Sequence, residues 1–263
     1  MIASFFQSLD REGVAYLLIS GQATVLYGAA AFSEDVDLWI EPSQENADSL
    51  LRALKIQGAR YYKLTPPVAP EFLLRGHGFH FCVPDDPDFY LDVMGRPPRV
   101  PAFAEAVAAA RTMPTVWGAI PTIGIRHLVA LKLTQRLSDY PIIGRLVLRY
   151  MEERRPPAGE DYAWAVEHAY TTEDLAELLA SYPGAASACR GSPALRRFAD
   201  EVRRDGEPST AARHAAERWL TARMLAARES DRAYWSDIIA DLRELRRRSR
   251  LMPVGQFVES TVA

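Results

Sequence analysis

Cysteine is scarce in this chain: Cys82 and Cys189 are the only two in 263 residues, far apart and in no metal-ligand spacing. That excludes a disulfide framework and makes a reducing cytoplasm the expected setting. Long hydrophobic runs are missing too. Polar residues interrupt every apolar stretch before the ~20 residues needed to span a bilayer, and Met1 to Gln7 lacks the basic and apolar regions of a secretory signal. No membrane partner is expected. A basic excess is also lacking: the formal net charge is -3, so any nucleic-acid partner needs a local patch and duplex DNA is not expected. Lysine is nearly absent, 3 against 28 arginines, a bias that with the abundant alanine reflects genome base composition. There is no internal repeat.

What is present is an ordinary globular composition, 48% hydrophobic and 25% charged, at a length that allows one domain of usual size and a second, smaller one. Ile2, Phe5, Phe6 and Leu9 recur at helical spacing, so Ile2 to Glu12 is expected to be an amphipathic helix ended by Gly13. Tyr16 to Ser20 reads as a strand, Gly21 as a tight turn, and Gln22 to Ala31 as a helix stopped near Gly28. Val36 to Ile40 reads as the next strand, and Ser43 caps a helix with apolar positions at Ala47, Leu50, Leu51 and Leu54. Phe79–Val83 and Phe89–Met94 are strands joined through the turn residues Pro84 to Pro87, an antiparallel hairpin. A helix is expected at Phe103 to Arg111 and a short strand at Thr115 to Trp117, with a break marked by Gly118 and Pro121.

From Ile125 the pattern is helical: Ile125–Arg136, Ile142–Met151, Tyr162–Ala169, Asp174–Leu179, Ala194–Val202, Ala211–Ala227 and Tyr234–Arg248. Thr171 to Asp174 has the form of a capping box. The fold class expected is therefore α+β: a mixed β-sheet core with helices over residues 1–120, followed by an all-helical domain over 121–263.

In Asp35-Val36-Asp37 the two carboxylates are two residues apart on a strand, and the strand period of two turns both to one face. Asp92 sits inside another strand, where an uncompensated carboxylate is costly. Three converging carboxylates repel one another, and Mg²⁺, a hard cation that prefers oxygen, is the usual remedy. Two such ions are the expected number. Ser20-Gly21 stands at the strand-to-helix turn, where free backbone N–H groups attract phosphate.

The order Ser20-Gly21-Gln22-Ala23, Gly28, Asp35-Val36-Asp37-Leu38, then Asp92 in Tyr90-Leu91-Asp92-Val93, resembles the signature of the DNA polymerase β-like nucleotidyltransferase superfamily, in its small bacterial toxin-type or antibiotic-modifying branch. The match covers residues 15–95 well and 121–150 loosely. It implies a short mixed sheet, Mg²⁺, a nucleoside triphosphate substrate, and transfer of a nucleoside monophosphate to a hydroxyl. Asp35, Asp37 and Asp92 would be catalytic and metal-binding, and Ser20 and Gly21 nucleotide-binding. Lys132, in Arg126-His-Leu-Val-Ala-Leu-Lys132, matches a lysine that faces the nucleotide in some members. Many small members have glycine where Ser20 stands and arginine where Ala31 stands. These departures favour the alternative, a catalytically inactive relative acting as a nucleotide sensor or antitoxin-like partner-binding module.

The acceptor is open between a small molecule, a protein side chain and an RNA end. His77 and His80 flank the expected cleft and are candidates to reach it, beside the commoner reading as ordinary strand histidines. The run Arg243 to Arg250 reads as a solvated helix end or as an RNA contact. Trp164, Tyr170, Trp219, Tyr234 and Trp235 read as packing residues. Val129-Ala-Leu-Lys132 has no Gly-rich loop, His-Arg-Asp or Asp-Phe-Gly beside it, so a kinase is excluded.

Overall fold

The computed structural model describes residues 2–83 and 86–259, and for 86–88 the backbone alone. Pro84 and Asp85, the first half of the expected turn, lie outside the described residues, as does Met1. The chain divides into two compact units. One takes Met1–Leu26, Ala30–Leu131 and Tyr234–Ala263, the other Tyr27–Ala29 and Lys132–Ala233.

The first unit is built on a seven-stranded mixed sheet. Helix α1 (Ile2–Arg11) buries Phe5, Phe6 and Leu9, and Gly13 turns the chain at φ 69°. Strand β1 (Tyr16–Ile19) is buried along its whole length and runs straight into the short helix α2 (Ser20–Leu26), so Ser20 belongs to the helix and not to the strand. Strand β2 (Asp35–Ile40) leads to α3 (Gln44–Ile56), whose N-cap Ser43 accepts a hydrogen bond from the Asn46 N–H. The Ser43→Ala variant should lose about 1 kcal/mol, read from the unfolding midpoint.

After β3 (Arg60–Tyr61) and α4 (Pro70–Leu74), the hairpin β4 (Gly78–Val83) and β5 (Asp86–Met94) forms as expected. Helix α5 (Phe103–Ala108), strands β6 (Arg111–Thr115) and β7 (Gly118–Thr122), and helix α6 (Ile125–Lys132) follow. The strand order is β3-β4-β5-β2-β1-β7-β6. The β2/β5 and β1/β7 pairs are parallel and the other pairs antiparallel.

Of the strand expected at Thr115–Trp117, only Thr115 lies in a strand, as the last residue of β6; Val116 and Trp117 are the turn of the β6/β7 hairpin. Thr115 Oγ accepts from the Trp117 N–H at 3.0 Å, and Gly118 and Pro121, read as a break, lie inside β7. Pro121 stands opposite Thr112.

One face of the sheet carries Val36, Leu38, Ile40, Leu91, Val93, Phe79 and Phe81, all buried. The rings of α1 pack here, Phe5 on Phe89 at 5.3 Å and Phe6 on Tyr16 at 5.8 Å. Near the chain end, Phe257 bridges to Arg60 and Met252 to Thr65, so the β3 edge is paired.

The second unit is helical: α7 (Tyr140–Glu153), α8 (Gly159–Glu167), α9 (Thr172–Ser181), a 3₁₀ stretch at Pro183–Gly191, α10 (Pro193–Asp205), and the first part of α11 (Thr210–Arg247). Thr171 caps α9 by accepting from the Asp174 N–H, and Gly206 closes α10 at φ 79°. Tyr140 packs edge-on against Tyr170, and Phe198, Leu175 and Cys189 are buried. The two helices expected at Ala211–Ala227 and Tyr234–Arg248 are one continuous helix. The polar stretch between them contains neither glycine nor proline, so nothing stops the backbone ladder. Among the described residues no helix is long and apolar enough to cross a membrane.

Candidate functional site: an acidic face of the sheet

Strand β2 alternates. Val36, Leu38 and Ile40 turn into the core, while Asp35, Asp37 and Trp39 turn to the opposite face. Trp39 closes one end of that face: it is buried, its ring meets Phe103 of α5 edge-on at 5.5 Å, and its indole N–H donates to Gly95 O at 3.0 Å. Asp37 and Asp35, further from this seal, are half-buried.

Pairing carries the acidic face across the sheet. Asp37 is the register partner of Asp92 in β5, and Asp35 that of Tyr90, so all four side chains share one face. Neighbouring strands lie about 4.8 Å apart, which sets the spacing of the two carboxylates at their bases. Asp92 is in turn opposite His80 of β4, and Ile19 of β1 is opposite Asp37. Ile19, Asp37, Asp92 and His80 therefore form one row over four strands. His80 Nδ1 and Asp92 Oδ1 are 2.7 Å apart, with side chains 25% and 29% exposed. The His80 main chain is pinned as well: its N–H donates to Thr65 Oγ at 3.1 Å, and its carbonyl accepts from the Tyr62 N–H at 2.8 Å.

Ser20 has a positive φ of 55° at the start of α2. Gly21 has a packing reason to be glycine, since a Cβ there would overlap Ser33 Oγ. Lys132 belongs to the second unit, where its ammonium contacts the buried Asp139 carboxylate at 3.1 Å, and Thr134 also donates to Asp139. His77 does not share the acidic face. It is 1% exposed, its Nε2 lies 2.7 Å from Asp241 Oδ2, and its ring meets Phe72.

Trp164 packs on Tyr150, Arg223 lies over Trp219, and the Tyr234 hydroxyl donates to Arg96 O, all packing roles. In the arginine run, Glu244 pairs with Arg247 and Arg248, and Arg250 reaches Glu71 at 3.6 Å.

Residues that sequence reasoning missed are Tyr90 beside Asp35, Tyr62 packed on Tyr90 at 5.0 Å, and Lys63 over the Tyr62 ring. Nothing local marks them, because strand register alone puts Tyr90 next to the acids.

Three carboxylates supply the oxygen donors a hard divalent cation takes, and in that sense the residues suit Mg²⁺. Among the described residues, however, no group of three such side chains is already drawn together closely enough to hold a metal ion. The His80 contact occupies one Asp92 oxygen, and a carboxylate has two.

Burial pushes the His77 imidazolium down, against the pull of Asp241 and with Arg75 adding to the fall; burial likewise lowers His127, opposed by Glu105 and helped by Arg126. Both are held neutral in the fold, whereas an unfolded histidine titrates near 6.5, at about its ordinary value. The stability they contribute is complete above that value. It is lost as pH falls from there toward their depressed folded values, because the unfolded chain takes protons first. Urea midpoints should therefore decline below about pH 6.5, and His77→Gln/His127→Gln should flatten that decline. An unchanged slope would sink the assignment.

No protein-family model and no curated protein sequence matches this chain.

Proposed function

We propose that the acidic face is a site of metal-dependent nucleotidyl transfer, moving a nucleoside monophosphate from a nucleoside triphosphate to a hydroxyl. The observation that carries this reading is the register of the parallel β2/β5 pair: Asp37 lies opposite Asp92, with Asp35 two residues along the same face. An arrangement of three acids on one half-buried face costs repulsion unless cations share it.

Asp35 and Asp37 would hold the divalent ions and Asp92 complete the set; when bound, the ions supply charge neutralisation to the triphosphate and help to activate the attacking hydroxyl. The chain's own groups do the rest. Val36 and Leu38, buried in the core, fix the strand that bears the acids. His80 orients the Asp92 carboxylate, which faces the acceptor. Tyr90, supported by Tyr62, offers a ring face for stacking a base. The N–H groups at Ser20-Gly21 are the candidate phosphate donors at the end of β1. Lys132 has no part in this reading.

A second reading, a nucleotide-sensing or partner-binding module without transfer, is favoured by one observation. Gly21 is accounted for by Ser33 without any phosphate. Thermal unfolding with each ribonucleoside triphosphate, with and without Mg²⁺, separates the two. Transfer requires a Mg²⁺-dependent rise with at least one triphosphate, followed by pyrophosphate release on adding acceptor candidates. No rise at millimolar ligand leaves the partner-binding reading.

A further inference from the structure

Past the carboxyl end of β5 the sheet-bearing unit contains a cavity of about 440 Å³ that takes no part in the acidic face. One wall is a single stripe of α11, with Tyr234, Asp237, Ile238 and Asp241 at the i, i+3, i+4, i+7 spacing of one helix face. The other walls are Leu74, Arg75 and His77, and Arg96 to Val100.

Several features show that this wall is built rather than incidental. Gly76 has φ 82°, and a Cβ there would overlap the Tyr234 hydroxyl, so the glycine lets the helix close in. That hydroxyl donates to Arg96 O at 3.2 Å and fixes the main chain bearing Arg96. Pro97 and Pro98 stiffen the next step. Arg99 then takes φ 62°, a conformation uncommon outside glycine and concentrated at binding sites, and its Nε donates to Ala130 O at 3.0 Å.

Three arginines, Arg75, Arg96 and Arg99, face two acids. Asp241 is already engaged, because one of its oxygens, Oδ2, meets Arg75 Nη2 at 2.8 Å and His77 Nε2 at 2.7 Å. It positions Arg75 more than it opposes an incoming anion. The local balance is positive in a protein whose net charge is -3. Guanidinium groups present forked donors that match phosphate oxygens, and the volume lies within the ~300–1,000 Å³ usual for small-molecule sites.

We propose that this cavity binds a small phosphate ester, with Arg96 taking the phosphate and Arg75 held ready by Asp241. The proposal does not rest on the reading of the acidic face.

The test is isothermal titration calorimetry on the full chain with ribose 5-phosphate, inorganic phosphate and ribose as probes. Ribose 5-phosphate should bind with Kd at or below about 1 mM, and ribose should give no heat. Arg96→Glu, at an exposed side chain, should weaken binding about tenfold or more by replacing a charge-assisted donor with a repelling acid. Asp237→Asn, also exposed, should tighten it roughly threefold by removing a like charge from the wall. Unchanged unfolding temperatures without ligand would show both variants folded. No heat from the wild type with ribose 5-phosphate at about 10 mM, or affinities that neither variant moves, would overturn the proposal. Equal affinity for inorganic phosphate and the ester would overturn the assignment to an ester.

Discussion

The double variant Asp35→Asn/Asp37→Asn is expected to unfold slightly above the wild type when no ligand is present, and to lose every Mg²⁺-dependent response to triphosphate. Both effects have one cause. Asp35 and Asp37 share a half-buried face with Asp92, whose register partner is Asp37. Neutralising two of three like charges relieves repulsion, by at most about 1 kcal/mol at this degree of exposure. The same change removes the oxygen donors a hard cation needs. Ligand a hundredfold above its Kd adds about 2.7 kcal/mol to the wild type, roughly 5–10 °C in unfolding temperature for a chain of this size. In the variant that shift should vanish, and pyrophosphate release should fall by about a hundredfold or more. Glu45→Gln, at an exposed acid on α3, should change neither quantity. A double variant that keeps the full triphosphate shift would move nucleotide binding off the acidic face.

Trp39→Ala should be the most destabilising single change in β2, costing about 3–5 kcal/mol. Trp39 is 1% exposed, seals the end of the acidic face against Phe103, and donates its indole N–H to Gly95 O. Truncation therefore removes a large buried ring and orphans the Gly95 carbonyl. Trp39→Phe keeps most of the packing and loses the hydrogen bond, so about 1–3 kcal/mol is expected. Amide exchange in β2 and β5, read beside the urea midpoint, reports the sheet-bearing unit separately from the helical one. A cost of less than about 1 kcal/mol for Trp39→Ala would mean that the seal is not part of the core.

Features settled by local chemistry are legible along the chain. Ile2, Phe5, Phe6 and Leu9 predict α1, Ser43 predicts the start of α3, and Thr171 predicts that of α9, because spacing and caps act within a turn or two of chain. Asp35 and Asp37 share a face for the same kind of reason, as a strand's side chains alternate. Proline misleads where its meaning depends on a partner: Pro121 reads as a break alone but sits within β7 beside β6. The long α11 reads as two helices because of a polar stretch, yet that stretch contains no residue able to stop it.

The sequence by itself thus determined the mixed α/β beginning, the helical continuation, the candidate acids and the shared face of Asp35 and Asp37. Only the tertiary structure decided that Asp92 stands opposite Asp37, that His80 holds Asp92, that Tyr90 borders the acids, and that Tyr234–Ala263 returns to the sheet-bearing unit. The physical reason is the range of the forces that settle each. Propensities and caps are settled by neighbours along the chain, whereas register joins segments far apart in sequence, and a slip of one residue would have turned Asp92 into the core.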